Sequence, residues 1–265
     1  MNRKERIMKR LKEHYQILQE KGYEIVGLFL QGSQNYNLDY ELSDVDSKAI
    51  VLPSLDDILL NKPMTSTTLV LDNNEHIDIK DIRVMFNTIK KQNINFVEIL
   101  FTEFKIVNKE YSKLLEPIFE NSERIARMNN YAAINCMTGM ALEKFKALEH
   151  PYPSTEDKIE AFGYDPKQLH HIMRMYYFML DYIIGKPYVN CLKSHYSKQL
   201  LDIKKGTYDL TVARANAQFC VEKMKEFKDD YMKNNKLFVD KDMSDLLDSI
   251  AASVLKHYIK LCLKD

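Results

Sequence analysis

Leu28-Phe29-Leu30-Gln31-Gly32-Ser33 and, ten residues further on, Asp44-Val45-Asp46 preceded by Ser43 form the stretch whose reading decides the fold. An apolar run ending on Gly-Ser is a strand that turns sharply. The second run carries two carboxylates one residue apart and leads into another apolar segment. Working outward, residues 23–31 and 45–52 read as strands, the second closed by Pro53. Residues 65–71 and 75–79 flank Asp72-Asn73-Asn74 and read as a hairpin. Ile7, Leu11, Tyr15 and Leu18 fall at helical spacing over residues 3–21, with Gly22 as the stop. Residues 82–91 read as a helix, while 96–101 fit helix or strand.

Beyond residue 108 the strand patterns fade. Helical periodicity covers 109–121, 129–149, 165–184, 211–234 and 241–263, broken at Pro151 and Pro153. The expected fold is α+β: a mixed sheet with flanking helices over residues 1–107, then a helical domain over 108–265.

Asp44 and Asp46 leave one face of their strand while Val45 points to the core. Two such carboxylates repel unless a shared proton, a cation or open solvent relieves them. A pair of divalent ions would use both, and oxygen ligands favour magnesium, with manganese as its substitute. Asp78 sits between Ile77 and Ile79 and is the best third ligand; Glu75 and Asp81 lie nearer strand ends and are weaker. Gly32 lets a backbone approach phosphate oxygens, and Ser33 adds a hydroxyl and an N–H. A Gly-Ser turn or an Asp-x-Asp alone is commonplace, as a strand-ending turn or a solvated edge. Their occurrence together, with Asp78 following, discriminates, and it points to binding a nucleoside triphosphate such as ATP.

Gly32-Ser33, ten residues, then Asp44-Val45-Asp46 resembles the signature of the polymerase-β-like nucleotidyltransferase superfamily. Gln31 through Tyr36 followed by Ser43-Asp44-Val45-Asp46 resembles, more narrowly, its bacterial and phage branch that includes the RNA-ligase-associated predicted nucleotidyltransferases. Two positions depart from the pattern: Asn37 replaces a glycine after Tyr36, and Ser47 replaces an apolar residue. Asn95 with Glu98-Ile99-Leu100, Gly163 through Lys167 with His171 and Arg174, and Leu200 through Gly206 are similar to later segments of the branch. The resemblance spans about residues 23–206. It implies nucleotidyl transfer to an acceptor hydroxyl with release of pyrophosphate and two metal ions held by Asp44, Asp46 and Asp78. It implies a nucleotide site including Gly32, Ser33, Tyr36 and Ser43. An RNA 3′ end, a protein side-chain hydroxyl or a small molecule would accept the nucleotide. A catalytically inactive nucleotide-binding regulatory module is the alternative.

Asp165 is a suitable N-cap and Pro166 a suitable first residue for the helix that follows. Lys167, His171 and Arg174 fall on one stripe, opposite Leu169, Ile172, Met173, Tyr176, Leu180 and Ile183. Such a stripe either faces water or, as the resemblance implies, faces the cleft. There Lys167 and Arg174 would neutralise phosphates, and His171, with His170 as its rival, would contact phosphate or acceptor.

Composition narrows the rest. The chain of 265 residues has 38 basic and 38 acidic side chains, so no broad electrostatic footprint for nucleic acid is expected. Four widely spaced cysteines match no zinc pattern and suit a reducing, cytoplasmic setting. No membrane-length apolar run occurs, and no membrane association is expected.

Overall fold

The computed structural model describes residues 2–40 and 43–264. Helix α1 (Arg3–Glu20) starts at a capping box, in which Asn2 accepts from the Glu5 N–H and Glu5 from the Asn2 N–H. It buries Ile7, Leu11, His14 and Leu18 on one side. Gly22, at φ +80°, turns the chain into β1 (Glu24–Leu30). A 3-10 turn over Ser33–Tyr36 follows, then β2 (Ser47–Leu52), α2 (Leu55–Leu59), β3 (Ser66–Val70) and β4 (His76–Asp81). Helices α3 (Ile82–Lys90) and α4 (Ile94–Val97), a 3-10 turn at Glu98–Leu100, and β5 (Lys105–Val107) lead to α5 (Ser112–Glu120) and α6 (Ser122–Ala126).

The sheet is mixed and five-stranded, in the order β3-β4-β2-β1-β5. The β2–β4 pair is parallel; β1–β2, β1–β5 and β3–β4 are antiparallel. Leu28 and Leu30 of β1, Ala49 and Val51 of β2, and Ile77 and Ile79 of β4 cluster with Ile7, Leu11 and Leu18 of α1. Those residues share one face by the two-residue period of a strand. The opposite face therefore carries Phe29, Lys48, Ile50, Asp78 and Lys80. Phe29 and Ile50 there line an apolar pocket with Phe86 of α3 and Ile118 of α5.

The remaining helices are α7 (Asn130–Ala147), α8 (Glu156–Phe162), α9 (Pro166–Ile183), α10 (Tyr188–Leu192), α11 (Ser197–Lys204), α12 (Leu210–Asn234) and α13 (Lys241–Cys262). The chain divides into two units. The first is Met1–Asn35, Tyr40–Met128 and Val239–Asp265; the second is Tyr36–Asp39 with Asn129–Phe238. This differs from a division at residue 107. Helices α5 and α6 stay with the sheet, and α13 returns to pack on α3, α5 and α6. Within the second unit α9 is central, packed by α7, α10, α11 and α12.

Other local differences have simple causes. Residues 96–100 are helical, divided between α4 and a 3-10 turn that Phe101 ends. Strand β5 has three residues, too few for a visible alternation. The second strand starts at Ser47, after both aspartates. The architecture is α+β, as expected. Among the described residues no helix is long and apolar enough to cross a membrane.

Candidate functional site

The Gly-Ser turn and the first two aspartates are laced together through the backbone. The Gln31 N–H donates to the Asp46 carbonyl at 3.0 Å. The buried Gln34 amide donates to the Asp44 carbonyl at 2.8 Å. Asn35 ties the turn back to β1 by donating to the Leu30 carbonyl at 2.8 Å, and it accepts the Thr102 hydroxyl at 2.7 Å. Gly32 has φ +83°, and a Cβ placed there would meet nothing within 4 Å. The left-handed backbone, rather than crowding, is what calls for glycine. Its N–H donates to Glu98 Oε1 at 3.3 Å, so that amide is already engaged.

Asp44 is exposed, Val45 buried, Asp46 half-buried and Ser47 buried, but neither aspartate lies on a strand, because the ladder begins only at Ser47. Asp46 Oδ1 accepts the His76 N–H at 2.8 Å and lies 3.4 Å from His76 Nδ1. Asp78 is half-buried on β4, where it pairs in register with Lys48; its Oδ1 lies 3.4 Å from Lys80 Nζ. Asp46 thus lies just before β2 and Asp78 within β4, each beside a basic side chain. Three carboxylates supply the hard oxygen donors that magnesium or manganese takes. Among the described residues, however, no three His, Cys, Asp or Glu side chains are gathered closely enough to hold an ion.

The two weaker carboxylates have structural posts. Asp81 is fully buried, caps α3 through the Arg83 N–H and pairs with the Arg83 guanidinium at 2.6 Å. Glu75 is buried on the α1 face of the sheet. Its Oε2 accepts from Arg10 at 2.6 and 2.8 Å and lies 3.0 Å from His14 Nε2, while Oε1 accepts the Val45 N–H at 3.1 Å. His14 Nδ1 lies 2.9 Å from Ser47 Oγ. This knot braces the backbone between Asp44 and Asp46 from behind. Burial pushes the His14 imidazole below its ordinary value, against the pull of Glu75. Burial alone would raise the Glu75 carboxyl, and the hydrogen bonds from Arg10, His14 and Val45 help to outweigh it and hold it low.

Lys48 carries no signal in the sequence beyond interrupting an apolar strand. It is 3% exposed. Its ammonium donates to the Gln31 side chain, lies 3.5 Å from Glu98 Oε1 and sits 4.8 Å from the centroid of Phe96. Burial drives its pKa down to about 8, although Asp78 and Asp46 pull it upward. Ser43 is a turn residue: its hydroxyl accepts the Tyr40 N–H at 2.9 Å.

In the second unit, α9 has the expected cap: Asp165 accepts the Lys167 N–H at 2.9 Å, with Pro166 at the first helical position. The simple two-stripe reading fails. Lys167 is exposed and His171 half-buried, but Arg174 is 5% exposed. A helix with neighbours on several sides has no single wet face. The Arg174 guanidinium stacks 4.3 Å from the Tyr36 ring, so Tyr36 has a partner within its own unit. His170 is buried with Nδ1 donating to the Leu200 carbonyl at 2.8 Å, a structural role, and burial pushes it down to about 4. His171 is pushed well below its ordinary value, by burial and by Arg174, His170 and Lys167. Asn37 has φ +59°, the left-handed backbone for which asparagine is the best substitute after glycine. All four cysteines are free thiols, with Cys191 and Cys220 buried.

No protein-family model matches the chain, and no curated protein matches it. Among solved structures it is similar to a nucleotidyltransferase-like protein from Exiguobacterium sibiricum 255-15. That similarity is 11% in sequence, with a TM-score of 0.30, over 97% of this chain and 80% of that one. A likeness so slight leaves the functional reading to the residues themselves.

Proposed function

We propose that the chain is a nucleotidyltransferase that moves a nucleoside monophosphate from a nucleoside triphosphate to an acceptor hydroxyl, releasing pyrophosphate. The observation that carries this reading is the lacing of the Gly32–Ser33 turn to the Asp44–Asp46 segment, with Asp78 next to Lys48 on the same sheet face. A phosphate-binding turn and carboxylates fixed side by side suit phosphoryl chemistry, in which positioning and charge neutralisation do most of the work. Ser33 donates to the phosphates from its hydroxyl and N–H. Asp44, Asp46 and Asp78 would hold divalent magnesium or manganese. Such ions, when bound, activate a hydroxyl and offset the charge of departing pyrophosphate. The Glu75 knot keeps Asp44 and Asp46 in place. Within the second unit, Lys167 and Arg174 are proposed as anion-binding cations, with Tyr36 stacked on the Arg174 guanidinium, and His171 as a neutral donor.

The test is transfer of label from α-labelled ribonucleoside triphosphates, with magnesium or manganese, into separate pools of RNA, protein and small molecules. Label entering one pool, and lost in Asp46→Asn, supports the reading and names the acceptor class. Label that persists in a folded Asp46→Asn protein removes the assignment. A second reading, a binding module without transfer, draws on the absence of a gathered metal cluster among the described residues. It predicts triphosphate binding with no pyrophosphate released under any condition.

A further inference from the structure

Strand β3 ends the sheet: it pairs with β4 on one side and, among the described residues, with no strand on the other. Native sheets usually guard such an edge with a charge, a proline or a bulge. Residues 64–71, Met-Thr-Ser-Thr-Thr-Leu-Val-Leu, hold no charge and no proline, and the β3–β4 register runs without a shift. The hydrogen bonds to β4 tell which backbone groups face outward. The Thr65 carbonyl accepts the Asp81 N–H and the Leu71 N–H donates to the Glu75 carbonyl, both at 2.9 Å, so the odd-numbered residues face β4. The N–H and C=O of Ser66, Thr68 and Val70 therefore point away from the sheet. Val70 and, just before the strand, Met64 are also exposed, at 56% and 45%.

In an antiparallel pair of two β3 strands, outward residues must oppose outward residues, so the two-fold axis passes at the position of one residue. With the axis at Thr67, Ser66 opposes Thr68 of the second copy and Met64 opposes Val70. Continued beyond the strand at the same offset, Lys62 opposes Asp72. Both charged side chains are exposed, and Lys62 has only the exposed Asp57 beside it, at 2.9 Å. This register thus matches apolar with apolar and cation with anion. Moving the axis to Thr68 sets Met64 against Asp72, and moving it to Ser66 sets Lys62 against Val70. We propose that the outer edge of β3 docks a second copy of this chain, antiparallel, with the two-fold axis at Thr67. The proposal does not depend on the proposed reaction. Docking gives the outward backbone groups partners, covers Met64 and Val70, and closes the edge to further strands.

Sedimentation velocity of the full chain over rising concentration reads the dimer, with circular dichroism melts confirming that each variant is folded. Thr68→Pro removes an N–H that β4 does not use, so the chain keeps its own ladder while the docked edge loses bonds at its centre; dimerisation should weaken about tenfold or more. Lys62→Asp and Asp72→Lys each set like charges opposite one another at both ends of the two-fold pair and should weaken it about tenfold. Lys62→Asp/Asp72→Lys in one chain makes the charges opposite again, and dimerisation should return. That recovery is specific to the axis at Thr67. A chain that stays monomeric at every concentration overturns the proposal. So does a dimer indifferent to a folded Thr68→Pro chain, single charge exchanges without effect, or a double exchange that fails to recover. Lys62 and Asp72 are exposed, so the charge exchanges decide the matter even where Thr68→Pro does not fold.

Discussion

Glu75 and Asp78 stand three residues apart, at the entrance to and within one strand, and the molecule uses them in opposite ways. Glu75 points to the α1 side, buried and saturated by Arg10, His14 and the Val45 N–H. Asp78 points to the other side, half-buried, with Lys80 3.4 Å away. The same parity sorts β2: Ser47 meets His14 on the braced side, and Lys48 pairs in register with Asp78 on the other. A strand's two-residue period thus separates a carboxylate that holds the backbone from one that the fold leaves less engaged. Saturated carboxylates have no lone pairs to offer an ion. Half-exposed ones beside movable lysine and histidine side chains do.

Deleting the braced carboxylate is the severest way to break this comparison. Glu75→Ala removes the acceptor shared by Arg10, His14 and the Val45 N–H at once and should cost about 3 kcal/mol, the lower end for breaking a buried ion pair because Arg10 keeps its pair with Glu13 and some access to water. Urea unfolding measures it, and a loss under about 1 kcal/mol would mean that the knot is ornamental. The available carboxylates should behave in reverse. Asp46→Asn and Asp78→Asn should leave the unfolding midpoint within about 0.5 kcal/mol of the starting protein, as substitutions outside a saturated network do. Under the proposed function they should lower label transfer by about a hundredfold or more, since each removes a proposed ion ligand. Equal stability losses on the two faces would erase the distinction.

Acidification sharpens it further, with an effect smaller than removing Glu75 outright. His14 is held below its ordinary value of 6.5, so the unfolded chain takes up a proton at pH values where folded His14 stays neutral. Stability from this source is full above pH 6.5 and falls as pH drops toward the lowered folded value. Glu75 is held below 4.5 and adds a second loss at lower pH, as its folded carboxylate is finally protonated. His170 in the second unit, at about 4, contributes its own loss over the same range. The brace is therefore isolated by the difference between the starting protein and His14→Gln in urea midpoints at pH 7.5 and 5.5. The variant should show the shallower decline; parallel curves would exclude His14 as the titrating group.

Much of this was legible in the sequence. The turn, both strands around it, the hairpin through Asn74, the α9 cap and the α+β class follow from periodicity and local residue chemistry, which are short-range. The preference for Asp78 over Glu75 and Asp81 rested on strand position, and the structure finds both alternatives saturated. What stayed hidden depends on partners distant in the chain. Lys48 meets Glu98 fifty residues later, and His14 meets Glu75 across sixty-one. Arg174 reads as a polar stripe residue because periodicity knows one helix at a time, whereas α9 has neighbours on several sides. The return of α13 to the first unit likewise leaves no local mark.

The smallest expected effect tests the parity rule within β4 alone. Asp81 has the same parity as Glu75 and is fully buried, yet its work is local: its carboxylate receives the Arg83 N–H at 2.8 Å and the Arg83 guanidinium, two residues on. Losing an N-cap costs about 1 kcal/mol. The pair with Arg83 adds little, because that guanidinium is about one-third exposed and can turn to water. Asp81→Ala should therefore lower stability by about 1 kcal/mol in urea unfolding, Asp81→Ser should recover most of it by restoring a cap, and Asp78→Ala should cost less than either. If Asp78→Ala proves the costlier, the β4 face opposite α1 is holding the fold as well, and parity alone would not separate the two kinds of carboxylate.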